Sequence, residues 1–150
     1  MEKNHWRHYL TKVLVDIMFY GGIAACIILP FLLPQIWGFL NVSESIRATY
    51  TIIVLSAGVC SVYIVYQLKL MFKTLLCGNP FVDQNVSSLR KCAVASALIA
   101  IIFIIRLFLW FTIGVAIMVT IFCLLSLFSL TLKDLFKQAV IYKEETDWTV

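Results

Sequence analysis

The sequence predicts an all-α integral membrane protein: a single transmembrane domain over residues 1–150, built as a four-helix bundle with both termini cytoplasmic. Three observations predict it. Residues 92–132 are almost unbroken apolar chain with Arg106 as the one formal charge. A bilayer core takes about 20 apolar residues as a helix, so this stretch is two spans back to back. Composition agrees, because 62% of the chain is hydrophobic and only 13% charged, where soluble domains carry about 25% charged residues. The basic residues are also sorted by side, with ten on the sides of the N-terminal arm, middle loop and C-terminal arm and only Arg47 and Arg106 on the other.

The first span is read at residues 13–36. Asp16 stands near its start, and Pro30 and Pro34 near its end predict a kink or termination. The apolar run continues through Ile23-Ala24-Ala25-Cys26 to Leu33, so it reads as a retained span instead of a cleaved leader. The second span is at residues 48–68, free of charge between Arg47 and Lys69. The third, at 91–110, and the fourth, at 113–132, are joined by a tight interfacial hairpin around Phe108, Trp110, Phe111 and Gly114. Excess Lys and Arg marks the cytoplasmic side of a membrane protein. Lys3, Arg7, Lys12, Lys69, Lys73, Arg90, Lys91, Lys133, Lys137 and Lys143 therefore place the termini and the middle loop in the cytoplasm.

The apolar periodicity outruns the lipid. Leu68, Met71, Phe72, Leu75 and Leu76 continue a helical stripe past the second span, with Lys69 and Lys73 on the other face. Gly78-Asn79-Pro80 ends that helix, and Asp83 is the expected N-cap of the next. Val82, Val86, Leu89 and Ala93 form the expected inward stripe of the third helix. Leu132, Leu135, Phe136, Ala139 and Val140 prolong the fourth, and Trp6, Tyr9, Leu10 and Val13 the N-terminal arm. These extensions predict a small cytoplasmic juxtamembrane bundle able to dock a soluble partner. Small residues at helical spacing (Gly21, Gly22 and Ala25; Ala57 and Ser61; Ala93 and Ala97; Ser96 and Ala100) let helices approach closely within one chain or in a homo-oligomer.

Chemistry-bearing patterns are sparse. No Ser-His-Asp set, HExxH motif, phosphate-binding glycine loop or CxxC spacing occurs. The sequence therefore predicts a non-enzyme with no catalytic residue, no cofactor and no metal; His5 and His8 read as a wet interfacial pair. Cys26, Cys60 and Cys123 read as small buried hydrophobes; Cys77 and Cys92 flank the middle loop near the membrane surface. Asp16 is the one acid inside a span and is expected to reach Lys12 or headgroup water; Arg106 is expected to snorkel to the outer interface. The acidic end, Glu144, Glu145 and Asp147, is expected to fold back on basic residues of neighbouring extensions and tuck in Trp148 and Val150.

Two stretches carry a family resemblance. Gly78-Asn79-Pro80-Phe81 with Asn85, Leu89-Arg90 and Ala93, and the ending Leu135-Phe136-Lys137-Gln138-Ala139 followed by residues 143–150, resemble domain-of-unknown-function family 2975. Thr146 stands where that family commonly has Asn, and Trp148 where it has Leu. The resemblance implies a small bacterial four-span protein of the inner membrane. Genes of that family often neighbour small helix-turn-helix regulators, which implies a membrane protein that docks or sequesters a cytosolic DNA-binding regulator without binding nucleic acid itself. The residues expected to dock it are Leu75, Phe81, Asn85, Arg90, Phe136, Glu145, Asp147 and Trp148. The alternative is a small transporter or channel subunit that uses Asp16.

Overall fold

The computed structural model describes the backbone of residues 3–41, 43–78 and 80–149, and their side chains except those of residues 3–5, 7 and 8. Asn79, Val150 and the His5 and His8 side chains, all invoked above, lie outside the described residues. The described residues form four helices: α1 (Lys3–Phe39), α2 (Glu44–Leu76), α3 (Asp83–Leu109) and α4 (Ile113–Trp148). Each is long and apolar enough to cross a membrane. Their 37, 33, 27 and 36 residues correspond to about 40–55 Å at 1.5 Å per residue, beyond the roughly 30 Å hydrocarbon slab.

The turns follow from local chemistry. Asn41 (φ 51°) and Gly78 (φ 78°) supply the left-handed conformations that end α1 and α2, positions where Asn and Gly are the tolerated residues. The amide of Gly78 donates to the Leu75 carbonyl and that of Cys77 to the Lys73 carbonyl, which satisfies carbonyls left over at the end of α2. Glu44 and Asp83 lie in the first turns of α2 and α3, and Lys73 and Arg106 in their last turns. That charge order suits the helix dipole. Two boundary expectations change. The cap of α3 is Val82, with Asp83 already in the first turn. Pro30 and Pro34 lie inside α1, which runs on to Phe39.

The helices pack as a row. Among the described residues α1 contacts α2, α2 contacts α3 and α3 contacts α4, and no other pair of helices meets. A closed bundle needs α1 against α4, so the single chain does not form the bundle expected from sequence. Short connections make sequential neighbours adjacent, but nothing in them brings the ends of the row together. The core lies along α3, where Ile99 and Ser96 are fully buried beside Ala93, Ala95 and Ala100. These small residues admit both neighbouring backbones. Ser126 on α4 donates to the Ala93 carbonyl at 3.0 Å. The Cys92 thiol, buried and 3.9 Å from the Ile64 carbonyl, faces α2. Phe103 and Phe122 stack across α3 and α4 with centroids 6.1 Å apart.

The α1–α2 interface is close at two glycines. A Cβ on Gly22 would come within 3.1 Å of Val62, and one on Gly58 within 3.2 Å of the Cys26 sulfur. Large apolar residues elsewhere are exposed, including Phe31, Phe39, Phe108 and Ile113. That surface belongs against lipid, where exposed apolar side chains carry no penalty.

Candidate functional site

Antiparallel packing gathers the termini and the α2–α3 turn at one end of the row, together with ten of the twelve basic residues. Asn85 organises this basic end. It is 1% exposed. Its Nδ2 donates to the Pro80 carbonyl at 2.7 Å, and its Oδ1 lies 2.8 Å from the Thr74 hydroxyl. Thr74 also lies 2.7 Å from the Met71 carbonyl, so its one proton is divided between two acceptors. Asn85 thus ties the turn, α2 and α3 together from inside and is not presented to a partner. Because Thr74 faces α3, the packed face of α2 runs through Ile64, Gln67 and Thr74. Of the stripe expected to pack, Met71 and Phe72 are half-buried and Leu68, Leu75 and Leu76 are exposed. On α3 the expected stripe is half right: Leu89 and Ala93 are buried, Val82 and Val86 only half-buried, and Asn85, Ser88 and Cys92 complete the buried face.

The other expected docking residues divide into groups. Phe81 and Phe136 meet with ring centroids 5.5 Å apart, fastening the turn to α4. Arg90 is exposed in a separate groove between α2 and α3, beside Tyr63 and Lys91. Leu75 stands on the surface of α2. Glu145, Asp147 and Trp148 lie on the last turns of α4, where residues 141–149 are all exposed and Trp148 is 90% exposed. The tail therefore does not fold back. The hydroxyl of Thr146 donates to the Tyr142 carbonyl and that of Thr149 to the carbonyls of Glu145 and Thr146. The chain continues as helix instead of turning. The last buried residue of α4 is Val140, so the eight helical residues beyond it project about 12 Å. The juxtamembrane bundle is likewise partial, since Trp6, Tyr9 and Leu10 at the start of α1 are also exposed. With α1 and α4 at opposite ends of the row, neither extension has the other to pack on.

The charges inside the helices found different partners from those expected. Asp16 pairs with Lys69 of α2 at 2.8 Å, and the Lys69 ammonium lies 5.0 Å from the ring centroids of both Phe19 and Tyr20. One carboxylate and two aromatic faces therefore hold a cation at the lipid boundary. The sequence reading placed Lys69 on the polar face of α2 but missed it as the partner of Asp16. Its signal is its position as the first charge after an apolar run, on the helix antiparallel to the one bearing Asp16. Arg106 meets an aromatic partner. Its guanidinium lies 4.8 Å over the Tyr50 ring, and Tyr50 in turn meets Trp37 at 5.6 Å. Trp37 Nε1 donates to Thr51 Oγ1 at 3.4 Å. This ladder of Trp37, Tyr50 and Arg106 joins α1, α2 and α3 at the end opposite the basic one. Gln67, 2% exposed in the middle of the α2–α3 contact, is a further buried polar residue absent from the sequence reading; an amide in an otherwise apolar run is the signal that marks it.

The fold and its ends define a class: an all-α chain with four membrane-competent helices, a basic end and one protruding acidic helix tip. Compared with known proteins, the chain matches no family model, no curated protein and no solved structure.

Proposed function

We propose that this is a non-enzymatic inner-membrane protein, with both termini in the cytoplasm, that docks a basic soluble partner on the protruding end of α4. The observation that carries the reading is the composition of that end. Tyr142 (68% exposed) and Trp148 (90% exposed) stand bare beside exposed Glu144, Glu145 and Asp147. A helix destined to lie on headgroups carries lysines on its polar face; three carboxylates repel an anionic membrane and keep this tip in water. Aromatic anchors flanked by acids suit a partner with a basic surface. DNA-binding proteins have such surfaces, which agrees with the helix-turn-helix regulator implied by the resemblance to family 2975. Binding there would hold the regulator at the membrane and lower its free concentration. The ten-to-two distribution of basic residues supports the cytoplasmic placement of this end.

A photo-crosslinking amino acid at position 148 tests the reading in intact cells. The expected adduct is a soluble DNA-binding protein. That protein should move from the membrane fraction to the soluble fraction when residues 141–150 are deleted, and stay membrane-bound in Asp16→Asn. The opposite pattern, in which Asp16→Asn abolishes the cellular phenotype while the deletion is silent, rejects docking in favour of transport.

A further inference from the structure

A cleft of about 530 Å³ lies between α1 and α2 at the basic end, and its lining includes Lys12, Asp16, Lys69, Lys73, Phe72 and Leu76. We propose that this cleft is a binding site for the phosphate headgroup of an anionic phospholipid, with the ammonium groups of Lys12 and Lys73 as the phosphate ligands.

Charge is the first argument. Three lysines and one carboxylate line the cleft, leaving it two positive charges in excess. Lys69 is bound to Asp16 and so removes the one group that would repel a phosphate. Among the described residues no carboxylate lies within ion-pair distance of Lys12 or Lys73. Depth is the second. Lys12 immediately precedes the apolar run of α1, and Lys69 and Lys73 immediately follow that of α2. All three therefore sit where headgroups begin. Access is the third. Because α1 packs on α2 alone, no third helix seals this groove from the bilayer. Val15, Tyr66 and Leu70, on the membrane side of Lys73, give it apolar walls along which an acyl chain can run. Basic pockets between transmembrane helices at the cytoplasmic surface are a recurrent way of holding anionic headgroups.

Native mass spectrometry of the full chain in mild detergent, with phosphatidylglycerol and phosphatidylcholine added at equal concentration, tests the assignment. The wild type should retain phosphatidylglycerol preferentially. Each lysine beside an anionic surface contributes about fivefold, so Lys12→Gln with Lys73→Gln should lower the preference about twenty-fivefold. Lys12→Arg with Lys73→Arg should keep it, and so should Lys137→Gln with Lys143→Gln, which removes the same charge outside the cleft. Should the double glutamine variant misfold, Lys12→Gln alone, with an expected loss of about fivefold, carries the comparison. Three results overturn the proposal: an unchanged preference in the cleft variants, an equal loss in the Lys137 and Lys143 variant, or displacement of the lipid by millimolar inorganic phosphate, which would assign the cleft to a soluble anion. None of these readouts depends on a protein partner at the α4 tip, so this proposal and the docking reading fail independently.

Discussion

At the residue scale, the polar groups decide how featureless apolar rods fit together. Asn85 is the buried tie between Pro80, Thr74 and α3. Its role is thereby separable from docking. Asn85→Leu takes away the donor to the Pro80 carbonyl and leaves the Thr74 hydroxyl with the Met71 carbonyl as its one acceptor, which costs about 1–3 kcal/mol. The thermal unfolding midpoint in detergent should fall accordingly, whereas Arg90→Gln, at an exposed position, should leave it in place. An Asn85→Leu protein as stable as wild type would remove the structural role described for this side chain. Asp16 illustrates the opposite case. Its pair with Lys69 has both side chains about one-third exposed, so solvent screening keeps its contribution to stability small. The pair's importance lies in orienting α1 on α2 and in neutralising the floor of the lysine-lined cleft.

At the element scale, small residues set which helices approach and how closely. Gly21 and Gly22 are consecutive on α1, yet a Cβ on Gly21 meets nothing within 4 Å and one on Gly22 meets Val62 at 3.1 Å. Gly22→Leu should therefore force α1 away from α2 at a cost of about 1–3 kcal/mol. Gly21→Leu, on the lipid-facing side, should change stability by less than about 0.5 kcal/mol. Equal effects of the two substitutions, read as unfolding midpoints in the same detergent, would contradict the rotation of α1 described here. In the sequence both glycines are small residues at helical spacing, with nothing to tell them apart. The sequence did, however, reveal each helix. The break at Gly78 and Pro80 and the restart at Asp83 lie within a residue or two of the observed boundaries, while the helices run well past the apolar spans at most of their other ends. Pro30 and Pro34 do not terminate α1, because a membrane helix accommodates the lost hydrogen bonds and continues.

At the scale of the whole molecule, the row of helices governs what the protein presents. An open row leaves α1 and α4 each with one uncovered side, opens the lysine-lined cleft to lipid, and sends the α4 tip out alone. Packed helices lie about 8–10 Å apart, so α1 and α4 stand more than one such spacing from each other. Spin labels at Ile28 on α1 and Ile121 on α4, in a background with the native cysteines replaced by alanine, should give a longer distance than labels at Ile28 and Val59 on α2. Comparable distances would mean a closed bundle and refute the row. A short distance appearing only at high protein-to-lipid ratio would instead come from a second copy bringing its α4 to α1, the homo-oligomer anticipated from the small residues.

The amino-acid sequence alone settled the all-α class, the four membrane-competent helices, their excess length and the sorting of charge to one end. Those properties are additive along the chain: hydropathy, helix length and basic residues are counted residue by residue. Tertiary structure alone decided that Asp16 meets Lys69, that Arg106 turns in to Tyr50, that Asn85 is buried and that the row stays open. Each of these depends on the rotation and register of one helix against another. In lipid the packed face and the bilayer-facing face are equally apolar, so hydropathy carries no record of which is which.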